Sequence, residues 1–146
     1  MDEAMKKAQV SHPSRLSRGQ SLVELALSLM IILWLLAGAI NFGVGFFSMT
    51  AIRDAAEEGA LYGSLDPTPA KIITRVQNSS DKPVDLSSAA VQVTVTLPGS
   101  ACAGNALIVK VTYALPITTP MVGIITGPTI PLTASATSII LDPACP

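Results

Sequence analysis

Residues 18–47 read RGQSLVELALSLMIILWLLAGAINFGVGFF. The stretch joins a basic, polar leader to a long apolar segment, and one carboxylate, Glu24, lies just inside the join. From Leu25 to Phe47 no residue carries a charge. As a helix rising ~1.5 Å per residue, that run is about 34 Å long, enough to cross the hydrocarbon core of a bilayer. A carboxylate at the mouth of a membrane helix costs ~2–3 kcal/mol or more at depth and less near the interface. Two arrangements offset the cost. Glu24 can pair with a positive charge in a poorly solvated region. Alternatively it snorkels to the headgroups at a helix start, where the helix dipole also favours an anion.

Working outward, the flanks set an orientation. Lys6, Lys7, Arg15 and Arg18 outnumber Asp2 and Glu3 before the apolar run, whereas Arg53, Asp54, Glu57 and Glu58 follow it. The positive-inside rule then places the N-terminus in the cytoplasm and the C-terminal part outside. Residues 1–19 read as a disordered cytoplasmic leader and residues 20–64 as one long helix, with 25–47 as its transmembrane half. The second half is amphipathic: Ile52, Ala55, Ala56, Gly59 and Tyr62 recur at three and four, the spacing of one helix face. Gly63–Ser64, just before Asp66-Pro67, ends it. Within the membrane half, Gly38, Ala39 and Gly43 form a small-residue stripe whose Ala39-x-x-x-Gly43 spacing lets helices approach closely. Asn41 either bonds a neighbouring helix or sits near the interface.

Residues 65–85 predict a short helix and linker: Thr68 caps, Pro69 opens the first turn, and Ile72, Ile73 and Val76 face inward. Residues 86–146 predict an exported antiparallel β domain. Val91, Val93, Val95 and Leu97 alternate with polar residues, as do Leu107, Val109, Val111 and Tyr113, and then Leu132, Ala134, Ala136 and Ile140. About three such strands with one apolar face need a cover, which the amphipathic half of the long helix supplies. The fold class is therefore α+β, a membrane-spanning helix followed by a small antiparallel sheet packed on it. Residues 86–141 hold a single charge, Lys110. The apolar run from Leu115 to Pro128 is either a contact surface, for neighbouring subunits or the membrane face, or a crossover that caps the small core.

Composition bounds the rest. A chain of 146 residues leaves room for one domain beside the helix, and a net charge of −1 gives no bulk attraction to nucleic acid. Cys102 and Cys145 both fall on the exported side, where a disulfide between them is the natural pairing, with two free thiols as the alternative. Closing that loop is worth ~4 kcal/mol in the chain-entropy model. The one histidine, His12, lies in the leader. No Ser-His-Asp or Cys-His set, metal site or phosphate loop can be assembled, so no enzyme, cofactor or small-molecule substrate is expected. Asp66, Asp81, Asp85 and Asp142 read as turn residues. Asn78-Ser79-Ser80 has the spelling of a glycosylation site and reads instead as a helix-end loop.

The join resembles the prepilin-peptidase site of type IV pilin-like proteins, in which cleavage follows a Gly and a Glu stands fifth in the mature chain. Here those positions are Gly19, Gln20 as first mature residue, and Glu24. The GQ-x-LVE-x-AL opening, the LLAG-x-INFG centre and the A-x-x-x-AAEEGA-x-Y exit are similar to the TadE-like family of pseudopilins, over residues 18–64. Leu25 departs from the aromatic residue usual in the family after the Glu. The resemblance implies a pilin-like, non-enzymatic pseudopilin or minor pilin of a Tad-type (Flp) pilus. Its partners would be other pseudopilins, the major pilin, the inner-membrane platform, the prepilin peptidase and membrane lipid. In this role the freed amine of Gln20 pairs with Glu24 and sets subunit register in the membrane or fibre. Two alternatives stay open. One is an uncleaved, signal-anchored protein with the same topology. The other is a secreted domain cleaved after Ala39, for which Ala37-Gly38-Ala39 offers the site.

Overall fold

The computed structural model describes residues 15–80, 82–118, 123, 124 and 126–145, with side chains from residue 19 onward. The readings made for leader residues 1–14, including His12, and for Asp81, Met121, Val122 and Ile125 lie outside these. The chain divides into two compact units, Met1–Gly38 and Ala39–Pro146.

Helix α1 covers Arg15–Leu65 and begins in the first unit. It therefore starts upstream of Gly19, whereas the sequence reading began the helix at residue 20. The physical reason is that nothing stops it there. No proline lies between Arg15 and Leu65, and a glycine inside a helix costs only ~1 kcal/mol. The residues from Gly19 to Leu36 are exposed along the whole length of the helix, apolar on every side.

The second unit holds the end of α1, the short helix α2 (Pro69–Gln77) and a three-stranded antiparallel sheet in the order β1 (Val91–Thr96), β2 (Ala106–Pro116), β3 (Thr129–Ile139). Val93 faces Val111, and Val111 faces Ala134. This register puts Val91, Val93, Val95, Leu107, Val109, Val111, Leu132, Ala134 and Ala136 on one surface, as the period-two pattern requires. Strands β2 and β3 are longer than their alternation suggested. They pair as far as Pro116 with Thr129, so Leu115 belongs to a strand rather than a crossover. Pro131 is accommodated because β3 is an edge strand.

The core lies between that sheet face, α2 and the amphipathic part of α1. Ile52, Ala55, Ala56 and Gly59 are buried and Tyr62 is half-buried, the face read from the helical spacing. Ile52, Ile72, Val76, Leu86, Leu107, Val109, Val111 and Ile140 are almost wholly removed from solvent, each worth ~1.5–3 kcal/mol of transfer free energy. Ile73, expected inside, is only half-buried. Thr68 has the extended backbone of an N-cap, but its side chain makes no capping bond. Its carbonyl accepts from the amides of Lys71 and Ile72 instead.

Two glycines set how closely α1 meets its cover. A Cβ at Gly59 would fall 2.4 Å from Val76 Cγ2, and one at Gly63 would fall 2.1 Å from Leu107 Cδ2 and 2.9 Å from Ile72 Cδ1. At the far end, Ser64 ties the helix to the tail: its carbonyl accepts from the Leu141 amide at 2.7 Å. The tail is fixed again by a Cys102–Cys145 disulfide, with Cα atoms 4.9 Å apart. Beside it, the Ala103 amide donates to the Pro143 carbonyl at 2.8 Å and the Gly104 amide to that of Ile140 at 2.9 Å.

Gly63→Ala should destabilise the folded domain by about 1–2 kcal/mol, because overpacking outweighs the gain in helix propensity. Denaturant unfolding of the full chain in detergent measures this. Reducing the disulfide should expose the tail beyond Ile140 to protease while β2 stays protected, read by limited proteolysis and mass spectrometry with and without reductant. An unchanged digestion pattern would show that the hydrogen bonds alone hold the tail.

Candidate membrane and assembly site

The first unit presents the join. Gly19 and Gln20 lie inside the helix, and no atom falls within 4 Å of a Cβ built on Gly19. Gln20 and Glu24 are four residues apart, so they share a face one turn from each other. Glu24 is exposed, and no salt bridge to it is formed among the described residues. Around it, Leu22, Val23, Leu25 and Leu27 are exposed as well. An exposed helix that is apolar all round is covered by lipid or by other helices. The segment Gly19–Leu65 is long and apolar enough to cross a membrane, with a mean hydropathy of 2.3 over its most apolar window. It fits a single-pass membrane anchor.

The small-residue stripe is open on its own chain. No atom lies within 4 Å of a Cβ built on Gly38 or Gly43, and Ala39 is exposed. The glycines that make close contact within the chain are others. Gly59 and Gly63 serve the core, and a Cβ at Gly45 would lie 3.6 Å from Leu115 Cδ2. No local pattern signals the last contact, because it joins positions 70 residues apart. Next to it, Asn41, Phe42, Gly45 and Phe46 of α1 and Leu115, Ile117, Ile130 and Leu132 of the sheet line a cavity of about 360 Å³. All these residues belong to the second unit. Asn41, read as an interface residue or a helix-helix bond, is half-buried in this wall.

Farther from the apolar run the surface is charged. Arg53 pairs with Glu57 at 3.1 Å, and Arg75 of α2 reaches Glu58 of α1 at 2.7 Å. Exposed pairs of this kind contribute ~0–1 kcal/mol each, so their weight is in orientation and solubility. Asp66 accepts from Lys71 Nζ at 2.6 Å and from the Thr68 amide at 3.2 Å. The lysine bond, followed by Thr68, holds its carboxyl down at about 2. Asp85 is bonded by the Ser87 hydroxyl at 2.6 Å and amide at 3.0 Å, which lowers its pKa too. These acids stabilise turns, as their positions suggested. Asn78 is the C-cap of α2, in keeping with a helix-end loop. Among the described residues no group of three or more His, Cys, Asp or Glu could hold a metal ion.

No curated protein and no solved structure matches the chain. The family model described as TadE-like protein matches residues 19–61. That match begins at Gly19, takes in Glu24 and the small-residue stripe, and ends in the amphipathic part that covers the sheet. Over this stretch of α1 the chain is similar to TadE-like proteins.

Proposed function

We propose that the protein is a pseudopilin or minor pilin that takes part in assembling a Tad-type pilus. The observation that carries this is the match over residues 19–61, which starts at the residue after which a prepilin peptidase would cut. The TadE-like family points to a role in Tad pilus assembly, a structural rather than catalytic task. In this reading the leader stays in the cytoplasm, the peptidase cleaves between Gly19 and Gln20, residues 25–47 span the inner membrane, and the chain beyond Phe47 lies on its outer side.

The physics of the join supports it. Cleavage would free an ammonium at Gln20, one helical turn from the exposed Glu24 carboxylate. In a poorly solvated setting, opposite charges at that spacing attract by several kcal/mol before desolvation is subtracted. A neighbour's amine can take the same place, which fixes the axial stagger between helices. The stripe of Gly38, Ala39 and Gly43, with open space where a Cβ on either glycine would stand and with Ala39 exposed, supplies the close helix-helix surface such a bundle needs. Partners are then other pseudopilins, the major pilin and the membrane platform.

One observation favours the uncleaved anchor as a second reading. Helix α1 runs unbroken through the Gly19–Gln20 bond, and a peptidase acts on extended backbone, so the first turn must unwind. Gly19 lowers the cost of unwinding, and helix ends fray readily.

The mature N-terminus, determined by intact mass and terminal peptide sequencing from membranes of the native host, separates the readings. A start at Gln20 is expected. A start at Met1 with the peptidase present selects the uncleaved anchor, and a start at Ile40 a secreted domain. Glu24→Ala should leave membrane insertion intact while cutting recovery with other pilus subunits by roughly tenfold, the equivalent of ~1.4 kcal/mol of pairing energy. Normal pilus assembly by that variant would remove the charge-pairing role.

A further inference from the structure

We infer that the β2–β3 end of the sheet is a foot that rests in the outer leaflet and that its apolar cavity takes lipid acyl chain. The inference rests on the reading that Leu25–Phe47 spans a bilayer. A hydrocarbon core of ~30 Å, entered at Leu25, is left about twenty residues later, near Gly45. Leu115 of β2 packs against α1 at that level, its Cδ2 3.6 Å from where a Cβ on Gly45 would be. The sheet therefore meets the helix at the outer boundary of the hydrocarbon core, rather than above the headgroups.

The chemistry of this end agrees with that depth. The cavity of about 360 Å³ has walls of Phe42, Phe46, Leu115, Ile117 and Ile130, with Asn41 as the one polar side chain. The turn closes with the Ile117 amide donating to the Pro128 carbonyl at 3.0 Å, and Ile124 beyond it is 82 % exposed. Between Lys110 and Asp142 the chain carries no charge. Lys110 lies five residues back along β2, about 17 Å at strand spacing. It stands on the outer face in register with Thr94 and Ser135. By contrast Arg53, Glu57, Glu58, Asp66, Lys71 and Arg75 all follow Phe47 along the chain. The exported unit is thus apolar at the level where the span ends and charged beyond it, the polarity of a body seated in an interface. Lipid is the occupant this favours over a second copy, because continuity with the apolar run places the foot among acyl chains whether or not another subunit is present.

The test uses the full chain in vesicles of phosphatidylcholine and phosphatidylglycerol with dibrominated acyl chains, at trace protein density. Bromine quenches indole at contact. Trp34, the single native tryptophan, reports on the span itself. Two variants in a Trp34→Phe background, Ile124→Trp and Thr96→Trp, report on the foot and on the opposite end of the sheet. Protease resistance checks that both fold. Trp34 and the Ile124→Trp variant should each lose most of their emission, while Thr96→Trp keeps its own. If Trp34 is quenched but Ile124→Trp behaves like Thr96→Trp, the foot is wrong and the span stands. If Trp34 itself keeps its emission, the membrane reading fails and the foot with it. Shielding of Ile124→Trp at trace density in a chain that sediments as a dimer would make a second copy the occupant and overturn the lipid assignment.

Discussion

The second unit depends on the close approach of α1 to the side chains that cover it at Gly59 and Gly63. At these two positions any side chain would meet Val76, Leu107 or Ile72 at less than van der Waals distance. A sheet with one apolar face must bury that face against another layer. Here the missing layer is the helix, which brings Ile52, Ala55, Ala56 and Ala60 as a shallow, small-residue surface. Because that surface is shallow, Leu107 and Val109 reach nearly to the helix backbone, and dense packing replaces the volume that larger helix residues would have filled.

A single helix thus serves two solvents with two surface designs. Up to the end of the apolar run, large aliphatic side chains point in every direction and suit a medium without water. Beyond it, apolar and charged faces separate, since one side meets protein and the other water. The change occurs around Ser48, which is buried while Phe46 and Phe47 beside it are exposed. The TadE-like match spans this change, from Gly19 to Leu61. It covers the apolar run and the part that covers the sheet, and it leaves the strands outside.

The tail closes the arrangement. Leu141 and Asp142 bond the last turn of α1 through the Ser64 carbonyl, and Cys145 is joined to the β1–β2 loop. Helix end, loop and chain end converge on one spot, away from the apolar cavity. A domain this small, with a narrow core, gains from such cross-linking because it limits the freedom of the unfolded chain rather than adding contacts. At the turns of Asp66 and Asp85 the carboxylates accept from local groups, the Thr68 amide and Lys71 ammonium at one and the Ser87 amide and hydroxyl at the other.

Much of this was legible in the order of residue types. The uncharged run Leu25–Phe47, the spacing of Ile52, Ala55, Ala56 and Gly59, and the alternation in three Val/Thr stretches each follow from a short local period, and each appears in the structure as helix, buried face and strand. The Gly19, Gln20 and Glu24 spacing is likewise local. The upstream start of α1 at Arg15 is local too, since no residue type there forbids a helix. Tertiary structure alone decided two matters. It carried β2 and β3 on through Leu115 and Ile130, because cross-strand pairing overrides a broken alternation. And it set Leu115 against Gly45, forming the cavity at the end of the apolar run. Contacts between positions so far apart arise only when chain packing brings them together, and no local period records them.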